Sequence, residues 1–294
     1  MRQSLFLLIS ILFTGLSSCT KVPEELIVCG DGKVLIIDPA RSNETDVTVK
    51  WQWDISEASE IPEIYQKYLF PLDECKPIDQ NTKLLITSSG GGVVLLEKET
   101  KKILFYANAP MAHSAAILPN DRIVVALSNH PYGDAVEVFD IQTPEKCLYR
   151  DTLYSGHGAV WIPEREGLFV LGEFELRSYS LKNWNTENPE LKKEKSWLLP
   201  AQGGHDLTRI SADELLITEA EHVWTFHIDK EFFESFPWVN KADVKSINFN
   251  KETQHVVYTK AEINWWTHTV YMKNPDKKIN IPGTNLYKVR VYPE

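Results

Sequence analysis

The chain has 294 residues, 43% of them hydrophobic and 24% charged, with 31 Lys and Arg against 41 Asp and Glu and a formal net charge of −10. That acidic balance excludes the basic face that nucleic-acid phosphates require, so no nucleic-acid partner is expected. The hydrophobic fraction, with nine Trp, is enough for a sizeable core and excludes disorder.

The first residues read MRQSLFLLISILFTGLSSC, with one Arg, a nearly unbroken apolar run from Leu5 to Leu16, and small residues up to Cys19. This predicts a signal peptide over 1–18, too short to remain as a transmembrane helix of ~20 residues. Leu16-Ser17-Ser18-Cys19 matches the bacterial lipobox, in which the cysteine is acylated and becomes the new N-terminus. An ordinary secretory signal cut near the same place is the alternative. Residues 19–23 then form a lipidated start and short tether, and 24–294 a single domain. The expected location is the bacterial envelope, periplasmic face or cell surface, with membrane lipid as partner through Cys19.

Beyond the tether, ELIVCG, KVLIID and VTVKWQWD read as three strands, with Trp51 and Trp53 sharing a face of the third as packing between sheets. A repeat follows. Its clearest copies begin at His113, His157 and His205, each with an aliphatic five residues on (Leu118, Ile162, Ile210), a polar turn and an aliphatic strand. Weaker copies begin at Glu74 and Val244, and Tyr287-KVRVYPE repeats the first half alone. The start points at 74, 113, 157, 205, 244 and 287 lie 39 to 48 residues apart. A period of that length, with about four strand-like segments in each unit, is that of a β-propeller blade. Glu231 to Ala242 reads as one irregular insert, and Lys192, Lys193 and Lys195 as a solvated run in a long connection.

The ends complement each other. The N-terminal strands make a blade lacking its first strand, and Tyr287 to Tyr292 is a first strand lacking its blade. Joining them predicts an all-β, six-bladed propeller, a ring closed by the C-terminal strand, and a monomer.

First strands line the channel of a propeller, so the repeat also maps a site. Glu74, His113, His157, His205, Val244 with Lys245, and Tyr287 with Lys288 fall at matching positions around one mouth. Neighbouring loops add Asp31, Ser88, Ser89 with the Gly90–Gly92 turn, Asn129 with His130, Glu173, Glu219 with Glu221, and Glu262 with Trp265 and Trp266. A polar, aromatic-rimmed mouth is the expected ligand site. His113, His157 and His205 are candidates for holding a divalent metal with Glu74 or Glu219 nearby, for acid–base chemistry, or for satisfying backbone groups at their strand starts. HExxH, paired CxxC and GxSxG motifs are all lacking, so no catalytic residue is assigned. Trp265 or Trp266 would offer a face to a sugar ring. Cys29 and Cys75 fall on neighbouring blades at the mouth end, where a disulfide leaving Cys147 free is one option.

The blocks DECKPI, LLITSSGGGVVLL, AHSAAILPN, GHGAVWIP and GGHDLTRI resemble a family of secreted six-bladed propeller lipoproteins of Bacteroidota whose function is not established. The resemblance covers nearly all of the exported chain and implies the fold, the export route and a glycan-using lifestyle. A looser similarity is to the oligogalacturonate lyases, propellers that hold a metal with channel histidines. Three functions follow as alternatives: binding a small molecule or oligosaccharide at the mouth, metal-dependent polysaccharide lysis or hydrolysis there, or a protein-interaction scaffold using the blade rims.

Overall fold

The computed structural model describes Pro23 and residues 25–292; the expected signal peptide over 1–18 and Cys19 lie outside the described residues. Six antiparallel sheets of four strands form the blades of a ring. Blade 1 orders its strands as Leu286–Val291, Leu26–Gly30, Lys33–Ile37 and Val49–Asp54 from the channel outward. Blades 2 to 6 begin at the channel with Leu72–Ile78, Ala112–Leu118, Gly158–Ile162, Asp206–Arg209 and Val244–Phe249. Each then proceeds outward in chain order.

Both faces of a blade pack against neighbours, which explains why the inner strands read as continuous apolar runs. Arg122–Leu127 is buried along its whole length, whereas the outer strand Glu190–Leu198 is largely exposed. Six apolar clusters occupy the six junctions between blades. Trp53 is fully buried in the first of these, with Trp51 packed beside it, as expected.

Two readings of irregular segments change. The connection that departs from the blade pattern joins blades 1 and 2, with a 3₁₀ turn at Ile55–Glu57 and a short helix at Glu63–Lys67. In the segment expected to be an insert, Phe232–Ser235 pairs with Val223–His227 as the outer strand of blade 5. Likewise Lys192, Lys193 and Lys195 sit on the outer strand of blade 4, where Lys192 pairs with Glu194 and Lys195 with Glu231. Cys29 and Cys75 do meet in one apolar cluster, but both are free thiols, as is Cys147. Burial pushes both buried thiols up, and repulsion by neighbouring acidic groups adds to it.

Ring closure rests on backbone pairing and close approach. Leu26 pairs with Val291 and Gly30 with Leu286. A Cβ on Gly30 would lie 2.0 Å from the Asn285 carbonyl oxygen, so only glycine lets the closing strand come this near. The Asp31 carboxylate then accepts from the Asn285 backbone N–H at 2.9 Å and from its side-chain amide at 3.1 Å. Removing residues 286–294 strips blade 1 of its inner strand, with the fully buried Leu286 and Val289, and uncovers Leu26 and Val28 that pack in the same cluster. We expect the truncated chain to lose cooperative thermal unfolding, and Val289→Ala alone to cost ~2 kcal/mol in urea titration. A truncated chain with the wild-type midpoint would show that another contact closes the ring.

Candidate ligand-binding site at the channel mouth

A bulge opens most of the inner strands. Leu72 and Glu74 pair with consecutive residues of the next strand, as do Ala112 and Ser114, and Val244 and Ser246. Asp73, His113 and Lys245 are therefore the extra residues, and blade 1 shifts register similarly beside Tyr287 and Lys288. Two layers result. The upper layer is Asp73, His113, His157, His205, Lys245 and Tyr287; the residues after them, among them Glu74, Asp206 and Lys288, form the layer below.

This corrects the expected mouth at two places. Glu74 lies one residue past the position equivalent to His113, and Lys288 one past that of Tyr287. Two adjacent acids, Asp73 and Glu74, make such a shift invisible to periodicity. Glu74 and Lys288 instead join a buried ion cluster that fills the channel under the mouth. Arg290 contacts Glu74 and lies 2.5 Å from Asp206 Oδ1; Lys288 lies 3.0 Å from Asp206 Oδ1. Lys76, 3.3 Å from Glu74, donates across the ring to the Ala115 and Ala159 carbonyls at 3.0 and 2.8 Å. Lys288 Nζ donates to the His157 carbonyl at 3.0 Å. Burial would raise the Glu74 carboxyl, but Arg290, Lys288 and Lys76 overcome it and hold it down at about 2. Burial lowers Lys76 to about 8.

The upper layer, Lys245 excepted, lines a cavity of ≈ 410 Å³ whose walls include His113, His157, His205, Tyr287, Glu173, Trp265 and Trp266. Asp73, Met111, Ser128 and Ser155 also line it and were not singled out by the repeat, whereas Ser89 and Asn129 were. The rings pack edge to face in a row: Tyr287 to His113 at 5.9 Å between centroids, His113 to His157 at 4.5 Å, and His157 to His205 at 5.2 Å. His113 Nδ1 lies 3.0 Å from the Met111 carbonyl and His157 Nδ1 2.9 Å from that of Ser155. A carbonyl only accepts, so both Nδ1 atoms carry the proton and both Nε2 atoms are acceptors. His205 Nε2 faces Lys245 Nζ at 2.8 Å and must accept from the ammonium.

That contact bears on the metal candidate. Two imidazoles hold the tautomer of a metal ligand, with the second nitrogen on a carbonyl. The third spends its lone pair on a cation, and among the described residues no three His, Cys, Asp or Glu side chains converge as a metal site. Burial, helped by the charges of neighbouring groups, depresses the imidazoles: His113 to about 4, His205 to about 3 and His157 well below its usual value. Burial also raises Asp73 to about 7, against the opposing hydrogen bonds from Ser89. It lowers Lys245 to about 8.

The remaining expected residues divide. Lys245 is buried under Trp265, with Nζ 5.1 Å from the ring centroid. His130 sits outside the cavity beside Tyr132. Glu219 is fully buried and structural: it accepts from Trp224 Nε1 at 2.7 Å and from the Ala201 N–H at 3.0 Å. Ser88 and Gly92 flank a strand-to-strand turn. A larger cleft of ≈ 640 Å³ opens at the opposite end of the ring, between the Arg209–Ser211 and Asn250–Glu252 turns and Pro23. Its walls are mostly half-buried or exposed, whereas strongly perturbed buried groups converge at the mouth, so the smaller mouth cavity is the better site.

The perturbed groups set a pH dependence. Between pH 6.5 and 4 an unfolded imidazole binds a proton that the folded mouth refuses, costing ~1.4 kcal/mol per pH unit per histidine. Asp73, raised from 3.8 to about 7, takes up its proton first in the folded chain and works in the opposite sense. Three groups against one predict a net loss of stability on acidification from pH 6.5 to 4, read from urea midpoints, and a shallower fall in His157→Gln. A profile that stays flat or rises on acidification would mean that imidazoles of the folded mouth take up protons as the unfolded ones do, leaving the opposing contribution of Asp73 unmatched.

No curated protein matches the sequence. A family model described as a family of unknown function (DUF6528) matches residues 17–293, nearly the whole chain, and the protein belongs to that family.

Proposed function

We propose that the chain is an exported, lipid-anchored binding protein that takes a small polyhydroxylated ligand, a sugar or short oligosaccharide, at the channel mouth. The observation that carries this reading is Trp265, 60% exposed on the edge of a cavity lined by the buried Asp73, His113, Ser128, Ser155 and His157. A flat ring beside a polar pocket suits a molecule with one apolar face and a rim of hydroxyls. His113 Nε2, the Glu173 carboxylate and the Asn129 amide oxygen are acceptors for those hydroxyls, and the neutral imidazoles add no cation that would demand an anionic ligand.

The anchor bears on orientation. Pro23 lies in the cleft opposite the mouth, and Cys19 is four residues earlier, a reach of at most ~14 Å. An acyl chain on Cys19 therefore holds the ring with its mouth turned away from the lipid. A metal-dependent lyase or hydrolase is the weaker reading, since an ion on the three imidazoles must displace the Lys245 ammonium from His205. Stoichiometric zinc or manganese binding at pH 7, lost in His205→Ala, would restore it.

Two tests follow. Cys19→Ser should move the protein from the detergent phase to the aqueous phase in phase separation, and unchanged partition would remove the anchor. Trp265→Ala should weaken the tightest ligand of a glycan-binding screen about tenfold, ~1.4 kcal/mol, with unaltered thermal unfolding. A wild-type chain that binds no glycan in the screen would reject the sugar reading.

A further inference from the structure

The mouth cavity has a flank that the repeat does not mark. Tyr154 lies between blades 3 and 4, and Phe174 in the loop between the second and third strands of blade 4. Their rings stack with centroids 5.6 Å apart and planes 6° from parallel. Aromatic pairs of this kind usually serve burial, yet these residues are 49% and 47% exposed. Their chain neighbours Ser155 and Glu173 line the cavity, which puts the pair at its edge.

The pair is held firmly. The Glu173 N–H donates to the Tyr154 carbonyl at 3.1 Å, and the Gly203 and Gly204 N–H groups donate to the Glu173 carbonyl at 3.0 and 3.2 Å. Asn129, also a cavity residue, donates its side-chain amide to Tyr154 Oη at 3.2 Å. A Cβ on Gly204 would lie 2.3 Å from the Gly172 carbonyl oxygen, so the two loops are as close as backbones allow. Exposed aromatic area on a rigid backbone loses little entropy when a ligand covers it. Trp265, from blade 6, borders the same cavity. Two separate aromatic stations thus flank one polar pocket.

We infer that Tyr154 and Phe174 form a second sugar-stacking subsite, so that the ligand is an oligosaccharide of at least three units crossing the mouth from Trp265 to this shelf. The inference rests on the sugar-binding reading above and deepens it from a sugar to a chain. The cavity holds the central unit among the imidazoles, and each aromatic station takes a flanking unit by its apolar face.

The test is calorimetric titration of the full chain with cello-, manno-, xylo- and galacturono-oligosaccharides of one to six units. In at least one series, affinity is expected to rise tenfold or more between one unit and three. The double variant Tyr154→Ala, Phe174→Ala should keep the single-unit affinity and lose the rise. Phe174→Leu, which retains apolar volume without a flat face, should lose part of it even if the double variant fails to fold. Binding that is independent of length, or a rise unaffected by these substitutions, overturns the second subsite while leaving sugar binding in place. Absence of binding to every member of all four series overturns sugar binding and the subsite together.

Discussion

Arg290 is the interaction on which the ring depends. It sits on the closing strand of blade 1 and reaches carboxylates from blade 2, Glu74, and blade 5, Asp206, in the middle of the channel. Leaving one of these ions buried without its partner costs several kcal/mol, so the strands that bear them have few arrangements open to them. Lys288 and Lys76 extend the constraint to blades 3 and 4 through the carbonyls of Ala115, His157 and Ala159. The channel is therefore plugged, and the mouth is a cup with an ionic floor rather than the entrance to a pore.

The floor shapes what stands on it. Three cations meet two carboxylates beneath the mouth, and Lys245 adds another positive charge beside His205. Protonated imidazoles above this surplus would be repelled as well as desolvated. Neutral rings packed edge to face are the outcome, with their tautomers set by the Met111 and Ser155 carbonyls. Hydrogen-bond acceptance is what such rings offer a ligand, and the cup is chemically suited to hydroxyl donors.

The fold was readable because its signal is repeated. Period, strand alternation and the matching half-blades each point to a closed ring of six, and the three histidines mark the mouth of three blades. The site was readable only in part, for a physical reason. A bulge adds one residue without changing the apolar pattern around it, so Glu74 and Lys288 looked like mouth residues while Asp73 did not. Met111 and Ser155 act through backbone carbonyls, which no side-chain pattern reports, although both lie two residues before a mouth histidine. Glu219 is acidic and close by, yet its partners, Trp224 and the Ala201 amide, are set by tertiary packing. Tyr154 and Phe174 fall outside the repeat altogether.

The clasp between Asp31 and Asn285 joins residues 254 positions apart. Blade 1 therefore remains a three-stranded sheet, with an open inner edge and apolar side chains uncovered, until nearly all of the described chain is available to fold. Loop closure over such a span is slow, and the waiting edge is a template for mispairing with other chains. A factor that shields the edge of Leu26–Gly30 until the closing strand arrives would therefore act on yield rather than on the stability of the finished ring.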